Sequence, residues 1–562
     1  MFGDRATGGV INIITDKSGK SKLSLTTSLG SYGFKSLDAS ASGTFNENAY
    51  FNTYLHTSDE NGYRQNSGQT TYSLNGSIGL KEQLANSFID YSIFHVKSGM
   101  PGSITKAQFE LDPRLSQYTN SKNEQTKEGF RIRPGFTYQI NSELQLSTDA
   151  SLSFERQNSA FPDFDQDSYP TGSKQSRDIT TYSFNPKLKW NTVLANMPNS
   201  LVVGFDFYKG HFDSQTNGIL QMAGANDYKS SANQETKSIY LQNTLSISQS
   251  IDAVIGLRSE NLKQKAHQDA FCTVTYSSLP DCLIPYNGSY QDSQGNTIYY
   301  TGQDGNPAVD GKSSVSKNAY HLGLNYHEGN WGAYVKHGTN FRFANLDELF
   351  GFNDSHLPVF YGNMLKPQTG RNTEIGVNFV NSRTQIRVAI YQNELKDEIA
   401  YNNYSMLNTN LDPTVHRGLE TQFSYQLIES LKAKLSYTHA ESTFTSGTFK
   451  DHDIPGVPND MANLQLIFNS NNYGKYVAKV NYVGSSYFSN DLRNDGNKQN
   501  SYTTLDLKAS WDIAPFTIDI TALNVLDKKY YTYGLTNSSH SSYIVYPANG
   551  QSIYASIKYD FK

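Results

Sequence analysis

Between Glu143 and Glu155 the chain reads ELQLSTDASLSFE. Leu144, Leu146, Thr148, Ala150, Leu152 and Phe154 alternate there with Glu143, Gln145, Ser147, Asp149, Ser151, Ser153 and Glu155. A period of two describes a strand with one apolar face and one wetted face. The alternation returns at Ile239, Leu241, Leu245 and Ile247, at Leu505, Leu507, Ala509 and Trp511, and at Phe516, Ile518, Ile520 and Ala522. No stretch sustains a 3.6-residue period, so the chain reads as all-β.

Composition identifies the solvent this chain is built for. Mean hydropathy is -0.58 and no apolar run approaches the roughly 18 residues of a membrane-crossing helix. Hydrophobic residues make up 37% of the 562, lean for one large water-soluble core. Yet 39 Tyr and 30 Phe are too many aromatics for a disordered polymer. Polar on average and rich in aromatics is the composition of a transmembrane β-barrel, whose strands show one face to lipid and the other to a wet lumen. The formal net charge of -5 offers nothing to nucleic acid.

The pattern predicts roughly 22 antiparallel strands of about 9 to 15 residues, longer than the usual soluble strand of about 5 to 6. Among them are 22–30, 143–156, 200–212, 234–248, 251–262, 316–327 and 551–561. Tight turns at Asn141, Ser382 and Glu429-Ser430 alternate with long polar loops, as when one kind of connection faces each side of a membrane. A soluble propeller or tandem sandwich gives no reason for that interleaving. In the last strand Ile553, Ala555, Ile557, Tyr559 and Phe561 form an apolar face against Ser552, Ser556, Lys558 and Asp560. Such an end suits a strand that closes the barrel on the first. An even strand number puts both termini on one side, read as periplasmic, with the long loops extracellular.

The first residues, MFGDRATGGVINIITDKSG, have no charged, apolar and small-residue regions in the order of a secretory signal. GDRATGGVINIIT instead resembles the end of the plug domain of TonB-dependent outer-membrane receptors, where the chain enters the barrel. Further segments resemble that family in the same order: MPGSITKAQFELDPR from Met100, NFRFANLDELFG from Asn340, LKPQTGRNTEIGVNF from Leu365, HRGLETQFSYQL from His416, IPGVPNDMANLQLIF from Ile454 and LNVLDKKYY from Leu523. The resemblance implies residues 1–20 as a plug remnant and 21–562 as an outer-membrane barrel of about 22 strands. It implies import of a scarce nutrient complex, most often a ferric siderophore, by a monomer in outer-membrane lipid of a Gram-negative cell. The full-length protein would be driven by the TonB-ExbB-ExbD system. A lumen this wide is normally plugged, so the chain is expected to be truncated and by itself unable to couple to TonB. Cobalamin, a quinone cofactor or haem are alternative ligands, and an ungated porin-like barrel is the alternative class. The GGVINIIT remnant favours the receptor, because a porin has no use for a plug exit.

Cys272 and Cys282 stand in the longest predicted loop, FCTVTYSSLPDC. If that loop is extracellular a disulfide is expected, worth about 2 to 3 kcal/mol for so short a ring. Free thiols remain open, and no neighbouring His or Cys completes a metal set. Asp163, Asp165 and Asp167 have the spacing of the first calcium ligands of an EF-hand, but Ser168 and Lys174 occupy the places of its Gly and Glu, so an acidic solvent loop is expected. Gly311-Lys312-Ser313 lacks the first glycine of a phosphate loop and reads as a surface turn. Neither GxSxG nor HExxH occurs, so no enzyme chemistry and no intrinsic cofactor or metal is expected.

Ligand candidates are aromatic and cationic loop residues: Phe161, Phe164 and Tyr169, Phe341 with Arg342, His356, and Phe360 with Tyr361. Aromatic rings stack on flat ligands and Arg pairs with carboxylates or an anionic chelate. The bland reading of each is an aromatic girdle or loop packing. His356 invites haem ligation, but FRFANLDELF departs from the FRAP and NPNL pattern of haem receptors. The orientation has a direct check. Lys174 and Lys312 should react with a membrane-impermeant amine reagent on intact cells, and protection of both would invert or abolish the assignment.

Overall fold

The computed structural model describes residues 19–117, 122–164, 170–218, 227–271, 287–291, 297–301, 308–352, 358–360, 365–402, 407–470, 472–537 and 542–561. The alternating segments pair in sequence order into one antiparallel wall. Its first strands are β1 (Lys22–Gly30), β2 (Lys35–Thr44), β3 (Ala49–Glu60), β4 (Gln69–Lys81), β5 (Ala85–Gly99), β6 (Glu124–Gln139) and β7 (Leu144–Phe164). β8 comes in two pieces, Pro170–Phe184 and Lys187–Leu194, both paired with β7. The break falls at Pro186, which has no N–H to give to the ladder. Counting those pieces as one, the 23 sheet segments make 22 wall strands, as the pattern predicts.

The wall continues with β9 (Met197–Gly218), β10 (Asp227–Ser248), β11 (Ile251–Phe271), β12 (Ala308–Glu328), β13 (Trp331–Arg342), β14 (Gln368–Val380) and β15 (Thr384–Lys396). It ends with β16 (Thr414–Ile428), β17 (Leu431–Phe444), β18 (Asp460–Ser470), β19 (Gly474–Val483), β20 (Tyr502–Ile513), β21 (Phe516–Leu523) and β22 (Ser552–Phe561). β22 pairs with β1 from Leu23↔Phe561 to Gly30↔Tyr554, so the sheet has no free edge. The Ile553 to Phe561 face that suggested closure is the one turned to lipid.

Burial follows the alternation. Ile239, Leu257 and Leu322 on neighbouring strands point outward, with Leu257 54% exposed. The alternate positions, such as Ser238, Arg258 and Glu260, point into the lumen and are buried. Three short turns use one local device: Asn46, Asn141 and Asn381 each accept, at the side-chain oxygen, the backbone N–H groups two and three residues on. This is the turn chemistry Asn provides. Repeatedly the lumen face pairs an aromatic ring with a glycine directly opposite, among them Tyr50↔Gly79, Phe88↔Gly135, Tyr240↔Gly204, Tyr334↔Gly376 and Tyr391↔Gly418. A Cβ on any of these glycines would meet the ring lying over it.

The structure departs from the expected boundaries in one systematic way. β7, β9, β10, β11 and β12 run several residues further toward the long-loop side than the pattern 143–156, 200–212, 234–248, 251–262 and 316–327 indicates. In these extensions the outward positions are polar, as in Asp213, Gln215 and Asn217, so the hydrophobic period fades while the ladder continues. For the same reason Gly311-Lys312-Ser313 is not a surface turn: it lies within β12, opposite Ala266, Lys265 and Gln264. Cys272 and Cys282 fall outside the described residues, as do residues 1–18, Asp165 and Asp167. Replacing outward Ile255, 48% exposed near mid-height, by Arg should cost about 2 to 4 kcal/mol of folding stability in lipid. An unchanged urea midpoint in vesicles would mean that Ile255 does not face hydrocarbon.

Candidate ligand entrance at the loop end

The most informative local event is where β13 leaves its neighbour. Its pairing with β12 stops at Gly338↔His321, whereas its pairing with β14 continues to Arg342↔Gln368. At Gly338 the carbonyl of Tyr320 comes so near that a Cβ would sit 2.6 Å from its oxygen. The strand end thus peels away and carries Phe341 and Phe343 onto the lumen face, where they are buried with Leu262 and Ala319. Beyond them Ala344, Leu346, Leu349 and Phe350 pack on Phe212, Ala232, Ala266 and Val309, inward positions of β9 to β12. Gln264 Nε2 donates to the Ala344 carbonyl at 2.9 Å. The Asn-Leu-Asp-Glu-Leu sequence makes the turn itself, since the Asn345 N–H donates to the Glu348 carboxylate at 2.7 Å at the start of the one-turn helix Leu346–Leu349.

Charge fixes this inward segment. Arg342 makes a fork to Glu348, with Nη1 2.9 Å from Oε2 and Nη2 3.0 Å from Oε1, and Nη2 also donates to the Ile399 carbonyl. The segment 397–413, between β15 and β16, is sewn to it where Lys366 N–H donates to Asn410 Oδ1 and Asn410 Nδ2 returns to the Lys366 carbonyl. Glu398 accepts from Thr414 Oγ1 at 2.6 Å, with His416 Nε2 at 4.0 Å. Burial pushes the Glu398 carboxyl up, but His416, Thr414 and Arg342 together outweigh it and hold it below the ordinary 4.5. Deeper in the wall Arg258 is buried against two carboxylates, donating to Glu260 at 2.8 Å and Asp206 at 2.7 Å, and to Ser238 at 2.6 Å.

A second loop assembly stands across the lumen mouth. Ile104–Thr105 adds to the hairpin Tyr531–Thr536 with Tyr543–Pro547, making a three-stranded sheet above the wall. Ile104, Phe488 and Val545 are its buried core, with Phe109, Tyr531 and Tyr543 packed around them. The short helix Lys106–Leu111 starts on a Thr105 and Gln108 capping box. Arg64 fastens the assembly to the loop after β3 through the carbonyls of Gly102 and Leu115.

The sequence candidates separate on this frame. Phe161 is a half-buried lumen-facing residue of β7 opposite Ser173, and Phe164 ends the same strand opposite Pro170. Phe341 packs the inward segment, the bland reading, and Arg342 is committed to Glu348. Phe360 pairs with Phe350 in a two-stranded ribbon. Tyr169, His356 and Tyr361 fall outside the described residues. Sequence reasoning missed Arg258 and Glu260, although they sit at alternate positions of the expected strand 251–262, and Gln264, which lies in the extension beyond it. Their signal was charge or amide on the lumen parity of β11.

Loss of the fork should loosen the entrance before the barrel. Arg342→Gln leaves Glu348 without its cation, a loss of about 1.5 to 3 kcal/mol for charged hydrogen bonds, less whatever water restores. Protease cleavage between 343 and 367 should accelerate while the wall melts unchanged, and an unaltered cleavage rate would remove the fork from the account. Glu398 adds an acid dependence. Because its folded value is depressed, its contribution is complete above about pH 4.5 and lost as pH falls through the folded value. Hydrogen exchange at 399–402 should therefore rise below that pH, and Glu398→Gln should flatten the profile.

The geometry matches known proteins. A family model described as TonB dependent receptor-like, beta-barrel, matches residues 107–525. The vitamin B12 transporter BtuB of Vibrio vulnificus strain YJ016 is 25% identical over 43% of this chain and 37% of its own length. The pesticin receptor of Yersinia pestis is 21% identical over 53% of this chain and 47% of its own. The chain thus spans less than half the length of these relatives. Among solved structures, the ferric yersiniabactin uptake receptor FyuA from Yersinia pestis superposes with a TM-score of 0.79 at 16% identity, over 100% of this chain and 84% of that one. The closed 22-strand wall, the match over most of its length and the shared fold make this chain a member of the TonB-dependent receptor β-barrel family.

Proposed function

We propose that the protein takes up a ferric siderophore-type chelate across the outer membrane of a Gram-negative cell, in a monomer whose long loops face outside and whose termini face the periplasm. The inward course of Phe341 to Phe350 carries the reading, because it narrows the loop end of a wide lumen into an entrance where a large ligand meets aromatic, amide and charged groups. Coupling to TonB-ExbB-ExbD belongs to the same proposal, as does residues 1–20 being the end of a plug domain. The name of the ferric yersiniabactin uptake receptor FyuA points toward an iron chelate, and the name of the vitamin B12 transporter BtuB keeps cobalamin as the second reading.

Equilibrium binding of radioiron-labelled chelates to the purified protein should be saturable for at least one member of a catecholate, hydroxamate or phenolate panel, and should not be displaced by the iron-free chelators. Phe161→Ala should weaken the preferred chelate by about tenfold, the equivalent of one aromatic stacking contact. Saturation by cyanocobalamin alone would replace the iron reading with the second one.

A further inference from the structure

The ring is closed where it crosses lipid, but toward the loop end β12 outruns its neighbour. From Ala308 to Tyr320 it pairs with β11 alone, because its ladder to β13 stops at His321↔Gly338. This leaves an edge about 40 Å long, at about 3.3 Å per residue. No other described strand pairs with it, and the nearby hairpin strands Asn287–Gln291 and Thr297–Thr301 pair with each other. Elsewhere such an overhang is covered. β17 outruns β18 beyond His439, yet Ala440 N–H donates to the Asn459 carbonyl, Ile454 N–H to Ser442 and Phe444 N–H to His452. In an antiparallel strand the N–H and C=O of one residue point to the same side, and that side alternates along the chain. The Tyr320 N–H turns to the vacated side, where Thr339 Oγ1 accepts it at 3.2 Å. The same parity aims the backbone groups of Asp310, Lys312, Ser314, Ser316 and Asn318 there. Their side chains are exposed on the outward face, beyond Leu322 and Tyr320, so the edge stands in water.

The strand end that left this edge is held elsewhere. Phe341 and Phe343 are buried on the inner face with Leu262 and Ala319, and Val315 packs against them, so returning β13 to the edge would expose both rings. Nor does a second copy fit. Wall strands tilt by about 35 to 45°, and a two-fold axis along the membrane normal keeps the vertical sense of each, so two β12 edges would cross at about 70 to 90° instead of pairing. A free extended peptide can lay itself along the edge. Of the usual guards against strand addition, proline is absent from residues 308–320 and the β11 register runs through them without a bulge, whereas lysine is present. That charge is selective. Asp310 is engaged by His267 at 2.9 Å, while Lys312 stands beside Lys265 on the same outward row. Like charges directly opposite destabilise a pair, so a carboxylate suits the place that an added strand would set next to Lys312.

We propose that the edge of β12 from Asp310 to Asn318 takes up an extended acidic peptide as an added strand, with the two backbones hydrogen-bonded and a carboxylate beside Lys312. The inference is independent of the transported ligand and needs the long-loop side to be extracellular only for the peptide to arrive from outside. The probe is a capped nine-residue peptide of alternating Val and Thr with Glu at two of the Thr places, its binding to the purified barrel followed by fluorescence anisotropy. Saturable binding is expected. It should weaken at least about tenfold when the peptide nitrogens on the pairing side are methylated, and about tenfold when Lys replaces Glu. Amide exchange at Lys312, Ser314, Ser316 and Asn318 should be fast in the free protein and slow with the peptide bound. Ser314→Pro removes an N–H of the edge and leaves the β11 ladder whole, so it should weaken binding at least about tenfold while Ser314→Ala preserves it. Absence of saturable binding would overturn the proposal, as would equal binding of the methylated or the Lys peptide. Slow exchange of the four amides in the free protein would show the edge already paired and end it too. If Ser314→Pro does not fold, the peptide series on the wild type decides.

Discussion

Closure is the constraint from which the rest descends. Hydrocarbon offers nothing to a backbone N–H or C=O, so every strand crossing it must find two neighbours and the last must return to the first. The β1 to β22 ladder, Leu23↔Phe561 through Gly30↔Tyr554, meets that demand. Once the ring is closed, strand parity assigns each side chain to lipid or lumen, and the turns and loops have no choice but to alternate between the two ends. A ring of 22 strands is also too wide for its own wall side chains to fill, which leaves an interior that other segments must enter.

The inward segment after β13 uses that interior. It depends on a local failure of the ladder: β13 abandons β12 at Gly338 and keeps β14, so the strand end is free to bend while remaining held on one side. Apolar burial of Phe341, Phe343 and Leu349 then draws it against the wall, and the Arg342 to Glu348 fork sets its angle. The arrangement combines a rigid wall with a fastening made of charges near water. The fastenings of the inward segment and the wall's backbone ladder are separate sets of bonds.

The two faces of the barrel carry different side chains toward the loop end. Inside the mouth, aromatic and amide groups converge from two loop assemblies across the opening. On the outward face, in the rows beginning at Phe207, five lysines accompany the single carboxylate Glu235 among the described residues. The same polar extension of β9 to β12 produces both, since its inner parity supplies Gln264 and Ala266 to the inward segment and its outer parity supplies Lys263 and Lys265 to the surface. Extending a strand beyond the membrane thus builds two surfaces at once.

Strand number, lipid-facing parity, tight turns and closure were legible from the residues alone, because a half-exposed strand must alternate and Asn at the turns writes its own hydrogen bonds. The strand extensions were not, because hydrophobic period reports lipid contact and says nothing of a ladder that continues into water. Nor could one sequence reveal that lumen glycines lie under rings from the next strand, that Phe341 is buried, or that Arg258 faces two carboxylates. Those facts depend on register, which sets residues far apart in the chain opposite one another. Local pattern decided which face each residue of a strand turns to, and only the closed sheet decided what it meets there.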